Sequence, residues 1–305
     1  MLLLAQSGPL QQPGDAAAIN SAEVGSLQVD GRQLLRSAAS NLFNSNPLHA
    51  SARLTVQMFD QKIEAQGQYW QLGQGSASAR LEFVYGDPKQ PQSVLQICHR
   101  GFYYRFQSKL GQPELQIADL AQIADVDQNQ LVANRQTWMS TGGLSNLMEQ
   151  LATNFEFGTV ESGQIGQTPC WRLRGGWNQD RLRELLTGQV KSTLIQKQIL
   201  WDQLPKQIPH SCEVLLGGDD YFPLFPYRVS YFQRQEGTTK PQEVAVMVLE
   251  FFEVDREAAV PEEQFQVRTD TMLPIDLSRH FTDRVRRLEQ LPRSAGQEKH
   301  WQTIR

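Results

Sequence analysis

Cysteine is scarce: Cys98, Cys170 and Cys212 are the only three in 305 residues, far apart and without CxxC or Cys/His spacing. A zinc site is not expected from that pattern. Each of the three sits in an apolar, strand-like run, where a free thiol packs as a small hydrophobe. In an oxidising compartment one pair could still close and leave the third alone. Long hydrophobic runs are missing as well. No stretch approaches the ~18–20 apolar residues that span a bilayer, so no transmembrane segment is expected. Nor is there an excess of one charge. With 29 basic residues against 33 acidic ones, the net charge is −4. Such a chain has no cationic field to condense on phosphates, and nucleic acid is not an expected partner.

The familiar catalytic motifs are absent too. The chain has no GxSxG elbow, no HExxH, no GxxxxGK[ST] and no GxGxxG between strand and helix. His49, His99, His210, His280 and His300 lie on five different segments with no ligand spacing, which points to surface or structural roles. Asp219-Asp220 follows two glycines and reads as turn chemistry. Glu250 and Glu253, embedded in an apolar run, must find partners or face water. The expectation is a non-enzymatic protein without metal or cofactor.

Hydrophobic residues make up 40% of the chain and charged residues 20%, enough for a real core. Residues 1–26, with Gly8, Pro9, Pro13 and Gly14, read as a disordered lead. Met1-Leu2-Leu3-Leu4-Ala5 is shorter than the roughly 7–15 apolar residues of a signal peptide, but it resembles the tail of one. The expectation is a periplasmic or cell-envelope protein whose signal peptide is cut short by start-site choice.

Periodicity supplies the rest. Leu27, Leu34, Leu35, Ala38, Ala39, Leu42 and Phe43 predict an amphipathic helix over 26–43, broken at Asn44-Ser45-Asn46-Pro47. From Ala50 the period becomes two, and six short strands follow, ending at Leu115 and Ile117, with turn residues between them. Short helices are predicted at 120–126, 144–151 and 180–186. Strands are predicted at 155–159 and 168–175. A second meander covers 212–216, 227–232 and 244–254. Its last strand is apolar on both faces and is expected to be central and covered on both sides. A C-terminal helix is predicted over 275–291. The fold class is α+β: a curved, half-open antiparallel sheet, an incomplete barrel of about 11 strands, wrapped around helices.

The first meander also carries a resemblance. Ala50-Ser51-Ala52-Arg53-Leu54-Thr55-Val56, then Glu64-Ala65-Gln66-Gly67-Gln68-Tyr69-Trp70, then Arg80-Leu81-Glu82-Phe83 resembles the opening of the LolA-like lipoprotein carriers. Ser93–Ile97 with His99-Arg100-Gly101-Phe102-Tyr103-Tyr104 is similar to that family's next hairpin. Phe225–Val229 and Val248–Phe251 resemble its later strands, and Pro261-Glu262-Glu263-Gln264-Phe265 resembles its exit. The likeness covers roughly residues 45–268 and is a pattern of strands more than a set of signature residues. The carriers have a basic residue and a proline where this chain has Gly73-Gln74-Gly75-Ser76-Ala77-Ser78, and Arg80, to which no role is assigned, is the only nearby candidate for the missing basic charge.

The resemblance implies a half-barrel domain over 27–272, with insertions near 120–154 and 175–205, and a C-terminal helix and tail over 273–305. It implies an apolar cavity between sheet and helices for a lipid or lipoprotein acyl chain. The side chains expected to line it are Leu54, Val56, Met58, Tyr69, Leu81, Phe83, Tyr104, Phe106, Leu147, Met148, Trp171, Tyr227 and Phe251. The same aromatic-rich face can instead be filled by the protein's own helices, giving a structural or partner-binding envelope domain.

Overall fold

The computed structural model describes residues 30–58, 61–109, 112–124, 142–187, 194–195, 198–199, 208–218, 221–235, 242–267 and 272–278. In chain order these form α1 (Gly31–Asn44), β1 (Leu48–Met58), β2 (Gln61–Gly73), β3 (Ser76–Asp87), β4 (Gln90–His99), β5 (Phe102–Lys109), β6 (Gln112–Asp119), α2 (Leu120–Ala124) and α3 (Gly143–Asn154). There follow β7 (Phe155–Phe157), β8 (Glu161–Ile165), β9 (Thr168–Trp177), α4 (Gln179–Thr187), β10 (Leu194–Ile195), β11 (Gln198–Ile199), β12 (Ser211–Gly217), β13 (Pro226–Gln235), β14 (Gln242–Asp255) and β15 (Ile275–Asp276).

Period-two alternation makes the strands, and their pairing gathers them into one open, curved sheet of 13 strands. The order is β15-β6-β5-β4-β3-β2-β1-β14-β13-β12-β9-β7, with β8 also on β9. All pairs are antiparallel except β15 with β6. The β2–β3 turn, Gly73-Gln74-Gly75, is left-handed throughout. Gln74 N donates to Ser45 O and Gly75 N to Phe43 O, which tie this turn to the end of α1.

Register decides which side chains meet. Ala52, Gly67 and Phe83 lie in one row, and Ala50, Tyr69 and Leu81 in the next. These rows form the concave face, on which α1 and α3 pack. Asp30 caps α1 by accepting from Arg32 N at 2.9 Å, and Leu35, Ala38, Ala39 and Leu42 form its buried stripe. From α3 come Leu144, Leu147, Met148, Leu151 and Ala152. The small Ala38 and Ala39 let the helices approach closely. Ser145 Oγ donates to Ala39 O at 2.8 Å, and Arg36 faces Glu149 at 3.7 Å. Each fully buried leucine or methionine here contributes roughly 1.5–3 kcal/mol.

The structure departs from the sequence expectations in three places. The short β8 and β15 raise the strand number in the sheet to 13; both lack the apolar alternation by which strands are read. The long apolar run in β14 is central, between β1 and β13, but only one of its faces is covered. On the other, Phe252 is 37% exposed beneath the Arg53 guanidinium, and Glu250 lies between Arg53 and Arg228 at 3.7 and 3.9 Å. The helix expected from 275 is preceded by a strand, since Ile275 and Asp276 extend along Gln116 and Ile117. The remainder of that helix, the 1–26 lead, and residues 125–141, 188–193, 196–197 and 200–205 of the two expected insertions lie outside the described residues. Cys98, Cys170 and Cys212 are free and buried.

Among the described glycines Gly67 has the least room for a side chain. A Cβ there would lie 1.9 Å from the Glu82 carbonyl oxygen and 2.7 Å from the Phe83 ring. Gly67→Ala is therefore expected to destabilise the protein by about 1–3 kcal/mol. Leu147→Ala, which empties a filled site, should cost about 3 kcal/mol. Urea unfolding midpoints measure both.

Candidate functional site

The residues expected to line a cavity divide between two faces. Leu54, Val56, Tyr69, Leu81, Phe83, Tyr227 and Phe251 lie on the concave face with Leu147 and Met148 of α3 above them, and all but Val56 belong to one apolar cluster. Trp171 shares that face by register with Leu216 but is 41% exposed at its margin. The Met58 side chain lies outside the described residues. Tyr104 and Phe106 face the other way. Tyr104 is in register with Ile97, Arg80 and Trp70, and Phe106 with Leu95 and Leu115. Alternation in β5 is regular, but nothing local says which of its two sides joins the face of Leu81. The register across β3 and β4 decides it.

A buried polar relay anchors the helices to the concave face. Leu144 N donates to Tyr69 Oη at 2.9 Å, Tyr69 Oη donates to Gln71 Oε1 at 2.6 Å, and Gln71 Nε2 donates to Leu42 O at 2.7 Å. One phenol thus satisfies an orphan amide of α3, while its neighbouring amide satisfies a carbonyl near the end of α1. Burial pushes the Tyr69 phenol far above its ordinary pKa, so it remains a donor at any working pH. Gly143, at φ +66, permits the approach, because a Cβ would lie 2.5 Å from that phenol oxygen.

Beyond β3 the same face changes character. Leu81 is followed in register by Gln96, Arg105 and Gln116, and Phe83 by Val94, Gln107 and Glu114. Both Gln107 and Gln116 donate to Glu114. The concave face is therefore amphipathic across its width, apolar beneath the helices and polar over the middle of β4–β6.

On the convex face, residues 258–267 form a strap over Trp70, Leu72, Leu95, Ile97 and Tyr104, with Val260 and Phe265 buried against them. Arg80 holds the strap: its guanidinium lies over Trp70, and Nη1 donates to Gln264 O at 3.0 Å. At the strap's end is a cleft of about 330 Å³ lined by Leu72, Ser76–Ser78, Cys98–Gly101, Leu120 and Glu262. Inside it, Ser76 Oγ donates to Ser78 Oγ at 2.8 Å, and Ser78 Oγ lies 2.9 Å from His99 Nδ1. His99 Nε2 faces Glu262 Oε1 at 3.6 Å, and Arg100 binds that same oxygen at 2.5 Å. Sequence inspection places Ser78, His99 and Glu262 on three unrelated segments. The only local signals are the left-handed Arg100-Gly101 turn and the Pro261–Phe265 exit.

Among the described residues no group of His, Cys, Asp and Glu could hold a metal ion, and no helix is long and apolar enough to cross a membrane. The Cys98 thiol, pushed up to about 11 by burial, is a packing group and not a nucleophile.

Burial and the neighbouring Arg100 hold the His99 imidazole below its ordinary pKa of 6.5, against the opposing pull of Glu262. Protonation is then more costly in the folded state than in the unfolded one. The unfolded chain takes up the extra proton, and stability rises with pH. The contribution of His99 is complete above pH 6.5 and is lost as the pH falls through its lower folded value. His99→Gln is expected to flatten the stability profile between pH 7 and 5, measured by thermal melts across that range.

No family model matches the chain, and no curated protein matches it. Solved structures do. MucB is similar over 78% of this chain at 14% identity and a TM-score of 0.39, and the chain spans 63% of MucB's length. In the Pseudomonas aeruginosa MucA/MucB complex the TM-score is 0.38, at 14% identity over 78% of this chain and 61% of that one. A LolA superfamily protein from Nitrosomonas europaea is matched over 78% of this chain and 98% of its own, at 9% identity and a TM-score of 0.31. For the lipoprotein LppX of Mycobacterium tuberculosis the shares are 75% and 94%, at 10% identity and a TM-score of 0.35. The solved structures that this chain is similar to thus include LolA superfamily proteins, at low identity, and theirs is the family that its strand pattern resembles.

Proposed function

We propose that this chain is a cell-envelope binding module that holds the acyl chain of a lipid or lipoprotein at its concave face. The observation that carries this reading is the division of that face. Its apolar part, beneath α1 and α3, runs directly into the row Gln96, Arg105 and Gln116. An amphiphile has the same division: the methylenes seek the apolar rows and the headgroup the amides and the guanidinium. The border falls at Phe83, Tyr85 and Val94, where the helical roof gives way to the polar rows. Each methylene taken from water contributes roughly 0.8 kcal/mol, so affinity needs no catalytic group.

A second reading has its own observation. Leu35, Leu42, Leu147, Met148 and Leu151 are fully buried between helices and sheet. An acyl chain would have to displace some of them, whereas a protein partner would leave them in place. Under that reading the concave face is filled for good and the domain binds a protein.

Native mass spectrometry of the chain purified from a Gram-negative periplasm, with lipid extraction after denaturation, separates the two. The acyl reading expects a co-purifying acyl species. It also expects added fatty acids to bind about tenfold more tightly for every two methylenes of extra length. A clean apo mass with no uptake would discard it in favour of the self-filled, partner-binding domain.

A further inference from the structure

We propose that the cleft at the end of the strap is an acyl-transfer site, with Ser78 as nucleophile and His99 as its base. The three parts of an activated serine converge there from distant segments. β3 supplies Ser78, the end of β4 supplies His99, and the strap supplies Glu262. A nucleophile within hydrogen-bond reach of a base, itself oriented by a third group, is the arrangement that acyl transfer requires.

The tautomer follows from the contacts. For the Ser78 hydroxyl to donate to His99 Nδ1 at 2.9 Å, that nitrogen must carry the lone pair and Nε2 the proton. The Nε2–H then faces the Glu262 carboxylate at 3.6 Å, a separation that a bound substrate can shorten. The ring is also held from its face, since Phe265 stacks on it at 5.9 Å and 19°. Charged groups facing the imidazole are Arg100 of its own hairpin and Glu262 of the strap, while β3 presents only the hydroxyls of Ser76 and Ser78. Ser76 Oγ donates to Ser78 Oγ and so stabilises charge developing on it. Arg100, 73% exposed at the side chain, is the cation that lines the cleft and can face a carbonyl oxygen as it becomes negative.

The substrate class is a carboxylic ester with a small acyl group. Leu72, Ala77 and Leu120 supply apolar wall, the cleft is about 330 Å³, and Ser78 is only 4% exposed, which bars bulky groups. In the forward step Ser78 Oγ bonds to the ester carbonyl carbon and its proton passes to His99 Nδ1. The carbon–oxygen bond to the leaving group breaks, and the alcohol departs with that proton. Water then bonds to the acyl carbon and gives its proton to the same nitrogen; the bond from that carbon to Ser78 Oγ breaks, the carboxylic acid leaves, and the proton returns from His99 to Ser78 Oγ. Ser78 and His99 project from the convex side, with Arg80 and Ile97, and Glu262 belongs to the strap, so none of the three takes part in acyl-chain binding at the concave face.

The test is covalent. The full chain is incubated with a fluorophosphonate probe, whose phosphorus–fluorine bond breaks as Ser78 Oγ bonds to phosphorus, fluoride and the proton leaving. The adduct is mapped by peptide mass spectrometry. A single adduct at Ser78 is expected, absent from Ser78→Ala and formed on the order of 100-fold more slowly by His99→Gln. Its rate should rise with pH through a midpoint below 6.5. Glu262→Gln should move that midpoint lower, because the carboxylate raises the imidazole pKa; a residue that merely pinned the strap would leave it unmoved. Circular dichroism and melts of each variant separate loss of the site from loss of the fold. An unlabelled wild-type chain, an adduct elsewhere, or a rate indifferent to pH and to His99 would overturn the proposal.

Discussion

Everything in this molecule depends on the pairing of β1 with β14. It joins residues near 50 to residues near 250 through a run from His49–Asp255 to Val56–Met247. Without it the chain would be two separate meanders, each with one apolar face and too little material to bury it. With it, the apolar rows of both halves fall on a single surface, and two helices suffice to cover them. The entropic cost of closing such a long loop rises only with the logarithm of its length. The ladder and the buried rows beside it offset that cost. The bulge at His49/Ser51, where Glu253 takes φ +52 and accepts from Ser51 Oγ at 2.7 Å, marks where the two strands readjust to keep their rows aligned.

One sheet therefore carries four different surfaces. The concave face is apolar beneath α1 and α3 and polar over the middle of β4–β6. The convex face is covered by the strap over β2–β5. From β1 to β9 it instead carries a ladder of opposed charges, in which Arg53, Glu250 and Arg228 are neighbours and Arg172 faces Glu213 at 3.8 Å. Exposed pairs of this kind add little stability, but they leave that surface hydrated. The strap is attached differently, by the buried Phe265 and Val260 and by the polar ties from Arg80, His99 and Arg100. Because the ties from His99 and Arg100 end on Glu262 in the cleft, the chemistry of the cleft and the seating of the strap share those residues.

Helix and strand identities were legible from period alone. The stripe of Leu35, Ala38 and Leu42 and the alternation around Leu54, Leu81 and Phe83 each need only a few adjacent residues to be recognised. β8, Glu161–Ile165, was not, because it has no alternating apolar side chains and exists only as the neighbour of β9. The burial of the three cysteines followed from their apolar surroundings. The one-sided exposure of β14 did not, since an apolar side chain such as Phe252 carries no mark of whether a neighbour will cover it.

By itself the sequence determined the kinds of element, the apolar rows and the absence of a linear catalytic motif, since these are properties of residues close together in the chain. Only the tertiary structure decided which face Tyr104 and Phe106 occupy, that Arg80 holds the strap, and that Ser78, His99 and Glu262 meet in one cleft. Such outcomes depend on strand register and long-range pairing. A shift of one residue in register would turn every side chain of a strand to the opposite face while leaving its sequence pattern unchanged.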